Sequence, residues 1–307
     1  LQCHEAGNLQ AALEVYTRML ARDPGDADAW HLSGLVAHQQ GDHERAVERI
    51  EKAIELRPAA SRFHFNLGNA FAGLDKHREA ATCFQRSTEL DAAHAPGWFN
   101  LGASLARLGA HGESAAALRR AFDLAPDLPG LRQALAQSLV NAAASGELPS
   151  NACDEASRLL ENHWQLADDP TQARLLLSLA LQESRQWTLA ASHYEALIRA
   201  LPDLEVAHNN LANCYNRLGR MADARDQYDE VLRLSPDNAL AASGVVSCIN
   251  YEDDATADRV FRAHVNWAQR FAAETANPAE HTNERIPGRR LKLAYVSPDL
   301  RRHPVSS

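Results

Sequence analysis

Lysine is almost missing from this chain: three occur in 307 residues, Lys52, Lys76 and Lys292. The formal net charge is −9, and no basic run sits beside an aromatic platform. Nonspecific nucleic-acid binding needs clustered Lys and Arg to displace counterions, so no nucleic-acid partner is expected. Aromatic residues make up only 6%, and the wealth of Ala and Leu suits close-packed helices more than sheets. Cysteine is sparse and unpaired in pattern. Cys3, Cys83, Cys153, Cys214 and Cys248 form no C-x2-C pair, which reads as small hydrophobes in a reduced, cytoplasmic setting. The histidines show no H-E-x-x-H or similar ligand spacing, so no metal is expected. No apolar run approaches the roughly 18 residues of a membrane span, so no membrane partner is expected either. The chain opens on Leu1 rather than Met, which leaves a preceding signal peptide open.

What is present is a period. The stretch from Glu205 to Asn238 reads as two amphipathic helices joined by a tight turn at Gly219 and closed by Pro236. Leu211, Ala212 and Tyr215 share one helical face; Ala224, Tyr228 and Leu232 share the other. Ala212 and Ala224 are small where the helices must cross closely. The spacing resembles the tetratricopeptide repeat (TPR), a 34-residue helix-turn-helix unit. It recurs. The small residue of the first helix returns at Gly34, Gly68, Gly102, Ala136, Ser178 and Ala212. That of the second returns at Ala12, Ala46, Ala80, Ser114, Ala156, Ala190 and Ala224. Every step is 34 except one of 42 in each series, which predicts about eight extra residues looping out over 141–151. That loop is either a neutral surface excursion or a functional arm. Gly7, Ala12, Tyr16 and Pro24 fit the later part of a first, truncated repeat.

The expected fold is therefore all-α, a TPR superhelical solenoid over 1–250. After Pro236 the register fades into one transition or capping helix over 251–276. Its expected apolar stripe is Ala257, Val260, Phe261, Ala268 and Phe271, with His264 partly buried among them. Residues 277–290 read as a linker, broken by two prolines and a glycine. Then Leu291 to Ser297 reads as an apolar strand followed by a turn, the opening of a truncated α/β domain over 291–307.

RRLKLAYVSPDLRRHPVSS resembles the opening of the catalytic region of TPR-containing protein O-linked N-acetylglucosamine transferases, bacterial relatives included. Tyr295, Val296, Ser297, Asp299, Leu300, His303 and Pro304 carry the match. Asn250, Tyr251, Phe261, His264 and Trp267 resemble the family's transition helix. The resemblance implies a Rossmann-like glycosyltransferase domain that moves a sugar from UDP-N-acetylglucosamine to Ser or Thr of proteins, without metal. His303 then falls at the active site, either as a base or as a residue that shapes the loop or contacts substrate. The donor-binding residues of the family would lie beyond Ser307, so the fragment should hold no cofactor and not be catalytic.

The same resemblance implies that the TPR arm holds protein or peptide substrates through asparagines on its inner surface. Asn66, Asn100 and Asn210 precede the first-helix leucine in three repeats, and Asn69 and Asn213 lie one turn on. An amide both donates and accepts, so it can grip a peptide backbone without reading side chains. Leu32, Ala134 and Leu176 interrupt the ladder, and solvated polar positions are the alternative for all five. A TPR scaffold with no enzyme attached is the competing function. The form that clamps a terminal carboxylate with lysines is disfavoured, since only Arg62 is available for it.

Overall fold

The computed structural model describes residues 8–252 and 254–271. Among them are fifteen α-helices, one 3-10 turn and no strand. Helix α1 (Leu9–Arg22) stands as the second helix of the first repeat. Seven pairs follow: α2 (Ala27–Gln39) with α3 (His43–Leu56), α4 (Ser61–Gly73) with α5 (His77–Leu90), and α6 (Ala95–Arg107) with α7 (His111–Leu124). Then come α8 (Leu131–Ala144) with α9 (Ala152–Leu160), α10 (Pro170–Glu183) with α11 (Trp187–Ala200), and α12 (Glu205–Arg217) with α13 (Met221–Leu234). The last pair is α14 (Ala239–Asn250) and α15 (Ala257–Phe271). Packing is between helices that are neighbours or next neighbours in this order. The described chain is an all-helical solenoid.

Local chemistry explains the starts and stops. Asp26, Asp42 and Asn238 cap their helices by accepting a hydrogen bond from the backbone N–H three residues on, satisfying a donor that the helix itself cannot. Both small-residue series are fully buried at the helix crossings. The fit is close: a Cβ added to Gly68 would lie 2.6 Å from the Phe84 ring, and one on Gly34 would lie 2.6 Å from Ile50. Turns between paired helices need one residue in the left-handed region. Gly41, Gly109 and Gly219 supply it, but Asp75 (φ 56°) and Arg185 (φ 60°) hold the same place in two repeats.

A second register ties each repeat to the one before. Trp30 Nε1 donates to the Pro24 carbonyl and Trp98 Nε1 to the Ala92 carbonyl, both at 3.0 Å. His64 Nε2 and His208 Nε2 make the same bond to Pro58 and Pro202 at 2.8 Å. An imidazole with its proton on Nε2 can thus stand in for an indole. Arg132 and Arg174 occupy the equivalent place in the two middle repeats and turn instead to Asp127 and His193.

Those middle repeats depart from expectation. The extra residues do not all loop out over 141–151: Ala142 to Ala144 prolong α8, and 145–151 form a connection longer than the usual three residues. Helix formation is cooperative, so an Ala-rich segment adjoining a helix extends it rather than leaving it. The following helix, α9, stops after 9 residues where the other second helices run 14 or 15. Asn162 and His163, weak helix formers, begin a turn that leads to the 3-10 segment Trp164–Leu166.

The end of the solenoid also corrects the expectation. Helix α15 has no buried residue; Phe261 is 66% exposed and His264 is exposed, its Nε2 3.2 Å from Asn250 Oδ1. Of the expected apolar stripe only Val260 and Phe271 are half-buried, and polar groups add to what holds this helix. Glu252, whose side chain is only 6% exposed, receives Arg225 at 2.6 Å and Arg259 at 2.5 Å. Arg270 donates to the Pro236 carbonyl at 2.7 Å. A carboxylate buried between two guanidiniums fixes position strongly, because losing either partner strands a charge. The truncated first-repeat helix, the linker, the strand expected at 291–297 and His303 lie outside the described residues.

Candidate peptide-binding groove

First helices of successive repeats pack on one another at α2–α4, α6–α8, α8–α10 and α10–α12, whereas second helices do not pack comparably. The first helices therefore line the inner, concave side. All five asparagines named from the sequence stand on them, half-buried.

Two of these residues meet across repeats: Asn100 Nδ2 donates to Asn69 Oδ1 at 2.9 Å. That bond leaves Asn69 its N–H donors and Asn100 its carbonyl acceptor. The pair lines a cleft of about 320 Å³ that also carries Phe84 and Arg107. Asn66 reaches back to the previous repeat, its Nδ2 2.8 Å from His31 Nε2. His31 is buried (4% exposed) and stacks at 4.5 Å on Phe63. Burial, then the Arg62 charge, pushes its imidazole down to about 4, so at neutral pH its Nε2 accepts the Asn66 donor. At the far end Tyr228 Oη donates to Asn213 Oδ1 at 2.7 Å, which leaves that amide its N–H donors. Asn210 lies against Asn209 at 3.5 Å. The structure thus bonds Asn69 to Asn100, ties Asn66, one turn before Asn69 on α4, to His31, and leaves Asn210 and Asn213 as a separate group on α12.

The sequence reading missed what lies between them. Gln137 holds in α8 the place that Asn69 and Asn213 hold in α4 and α12, and its Nε2 donates to Asn141 Oδ1 at 2.9 Å. Gln133 and Asn209 share another register, and Asn216 lies one turn beyond Asn213. Scoring amides of either length would have found them. Arg62, the residue considered for a carboxylate clamp, is paired with Asp28, which Arg57 also engages at 3.1 Å.

Little else on the described surface offers chemistry. Burial pushes the Cys153, Cys214 and Cys248 thiols up to about 11, so they are poor nucleophiles. No group of three or more His, Cys, Asp or Glu among the described residues could hold a metal ion. No described helix is long and apolar enough to cross a membrane.

A tetratricopeptide-repeat family model matches residues 5–61, 39–76, 65–129 and 175–239. The chain belongs to the TPR family. Among curated proteins it is similar to SPINDLY of Solanum lycopersicum, "Probable UDP-N-acetylglucosamine--peptide N-acetylglucosaminyltransferase", at 33% identity over 75 residues, 24% of this chain. SPINDLY of Oryza sativa subsp. japonica is 32% identical over 79 residues, 26% of this chain. Each match spans 8% of the relative's length. Among solved structures, the C-terminal part of a TPR protein from Cytophaga hutchinsonii aligns with a TM-score of 0.56 at 16% identity, over 79% of this chain and 96% of that one. The structure of Naa15/Naa10 bound to HypK-THB aligns with 0.53 at 15% identity, over 88% and 41%. At such identities these alignments show the fold alone.

Proposed function

We propose that this TPR solenoid is the substrate-holding arm of a protein glycosyltransferase, binding extended polypeptide along its inner face. The observation that supports binding is the amide row on the first helices, with Asn100 and Asn69 bonded across a repeat boundary. Amides pre-set in this way present alternating donors and acceptors to a peptide backbone. The glycosyltransferase part of the reading rests on the resemblance of the YVSPDLRRHP segment and on the SPINDLY similarity. In this reading 1–250 is the arm, 251–276 the transition helix, 277–290 a linker, and 291–307 the start of a Rossmann-like domain. UDP-N-acetylglucosamine is the donor, Ser or Thr of cytoplasmic proteins the acceptor, and His303 an active-site residue.

The test is to replace Asn66, Asn100 and Asn210 together with Ala. A neutral hydrogen bond is worth about 0.5–1.5 kcal/mol net, so three account for roughly one to three powers of ten in affinity. Affinity for many extended protein segments should fall alike while the helical circular dichroism is kept. Unchanged affinity would make these amides ordinary solvated positions. A sugar-transfer assay on the longer protein separates arm from scaffold: protein acceptors should lose kcat/KM through KM, and short peptides that reach only the active site should not. Absence of any transfer from the UDP-sugar would leave a non-enzymatic scaffold.

A further inference from the structure

Helices α4 and α6 pack on each other less closely than the first helices on either side of them do. The cleft of about 320 Å³ that carries the Asn69–Asn100 bond lies at this looser boundary. Two small side chains, Ala72 of α4 and Ala103 of α6, line it together with the Phe84 ring, which gives it an apolar floor.

Three donors open onto that floor. Asn69 accepts from Asn100 and so keeps both N–H groups of its own amide. Ser104 also lines the cleft and is only 4% exposed. Its hydroxyl makes no hydrogen bond with any described residue, yet it is not closed off from solvent. The counterpart one repeat on, Ser138, is already bonded to Ser114 Oγ at 2.9 Å. The third donor is Arg107, exposed and without an ion pair among the described residues. No Asp or Glu lines the cleft. Asp75, two residues before His77, is 88% exposed and lies 3.7 Å from His77 Nε2.

We infer that this cleft is an acidic-residue subsite: it takes a glutamate side chain of the bound polypeptide. The two methylenes lie on Ala72, Ala103 and Phe84, and the carboxylate accepts from Arg107, Ser104 and Asn69. A hydroxyl left unpaired in a buried residue is a cost that a ligand's acceptor removes, and a guanidinium fork matches a carboxylate through two parallel bonds. This inference rests on the reading of the inner face as a peptide groove and deepens it. Amides alone hold a backbone without preference; this rung adds a preference for one negative side chain. The preference belongs to this rung by sequence. At four of the other five boundaries between first helices, Gly73, Asn141, Glu183 and Tyr251 take the place of Arg107. At the fifth, Arg217 stands with Leu179 and Cys214 in place of the amide and the hydroxyl.

The probe is a set of four fluorescein-labelled twelve-residue Gly/Ser peptides with Glu, Gln, Lys or Ser at the centre, read by anisotropy. The Glu peptide should bind about three- to tenfold tighter than the Gln peptide, the factor expected for a partly solvated charge-assisted bond, and the Lys peptide more weakly than either. Arg107→Glu removes no contact of the folded chain, so helical circular dichroism should be kept, and it should invert the order of Glu and Lys. Ser104→Ala should cut the Glu-over-Gln ratio about twofold or more. Equal affinity for Glu and Gln overturns the subsite, and so does a Glu preference that survives Arg107→Glu. The Asn66, Asn100 and Asn210 triple variant, read on the Ser peptide, keeps the two readings apart. Equal Glu and Gln binding, with Ser-peptide binding weakened by the triple variant, leaves the groove standing without an acidic subsite. A Glu preference that Arg107→Glu inverts, with Ser-peptide binding untouched by the triple variant, leaves the subsite without the amide groove. No binding by any of the four peptides overturns both.

Discussion

Packed against Phe63, with Asn66, Arg62 and Asp28 around it, the His31 imidazole is neutral in the folded chain down to about pH 4. In the unfolded chain the same group takes its proton near pH 6.5. Between those values the unfolded state binds more protons, so stability drops as the pH is lowered; the contribution is full above 6.5 and gone near 4. Its size is on the order of 2–3 kcal/mol. Urea melts of the parent and of His31→Gln at pH 7.5 and pH 4.5 should therefore differ in pH slope, with the variant flatter. Equal slopes would place the acid sensitivity elsewhere. Protonated Nε2 cannot accept the Asn66 amide, so in the folded chain the first rung of the amide row loosens only below about pH 4. None of this was legible at His31, whose environment comes from two repeats at once. The small residues were legible, because a crossing excludes side-chain volume wherever it occurs and so marks the sequence at a fixed interval.

Arg185 sits in the left-handed region at φ 60°, in the turn where Gly41, Gly109 and Gly219 serve other repeats. A non-glycine residue there carries roughly 1–3 kcal/mol of backbone strain, partly offset because glycine loses more freedom on folding. Arg185→Gly should thus raise stability by about 0.5–1 kcal/mol in chemical denaturation. A loss would mean that the Arg185 side chain contributes more than its backbone strains. Elements were readable from the sequence to the extent that a period reports them. The step from Ala156 to Ser178 has the normal 22 residues, so counting could not reveal that α9 unwinds midway. Nor could it show that α15 turns Phe261 outward; an apolar stripe has the same spacing whether or not a partner covers it. The ion pairs of Glu252 that hold α15 join residues 27 and 7 positions away, a relation with no signature in periodicity.

Across the whole molecule the apolar core is divided. One cluster runs without a break from Ala115 to Cys248, while the preceding repeats hold three smaller ones. The tight crossings at Gly34 and Gly68 fall among those smaller clusters. In a solenoid, cooperativity passes only through nearest-neighbour interfaces, so a weak interface stops its spread. Ala224, fully buried where α13 crosses α12, gives a way to test this. Ala224→Trp forces an indole into that crossing and should cost roughly 1–3 kcal/mol or more. Hydrogen exchange should then quicken from α10 through α14, inside the continuous cluster, while α2 to α5 keep their protection. A compact domain with one core would instead lose protection everywhere, since all its helices share the same opening. Uniform acceleration from α2 to α14 would therefore refute the divided core, and no acceleration around α12 and α13 would refute the crossing itself.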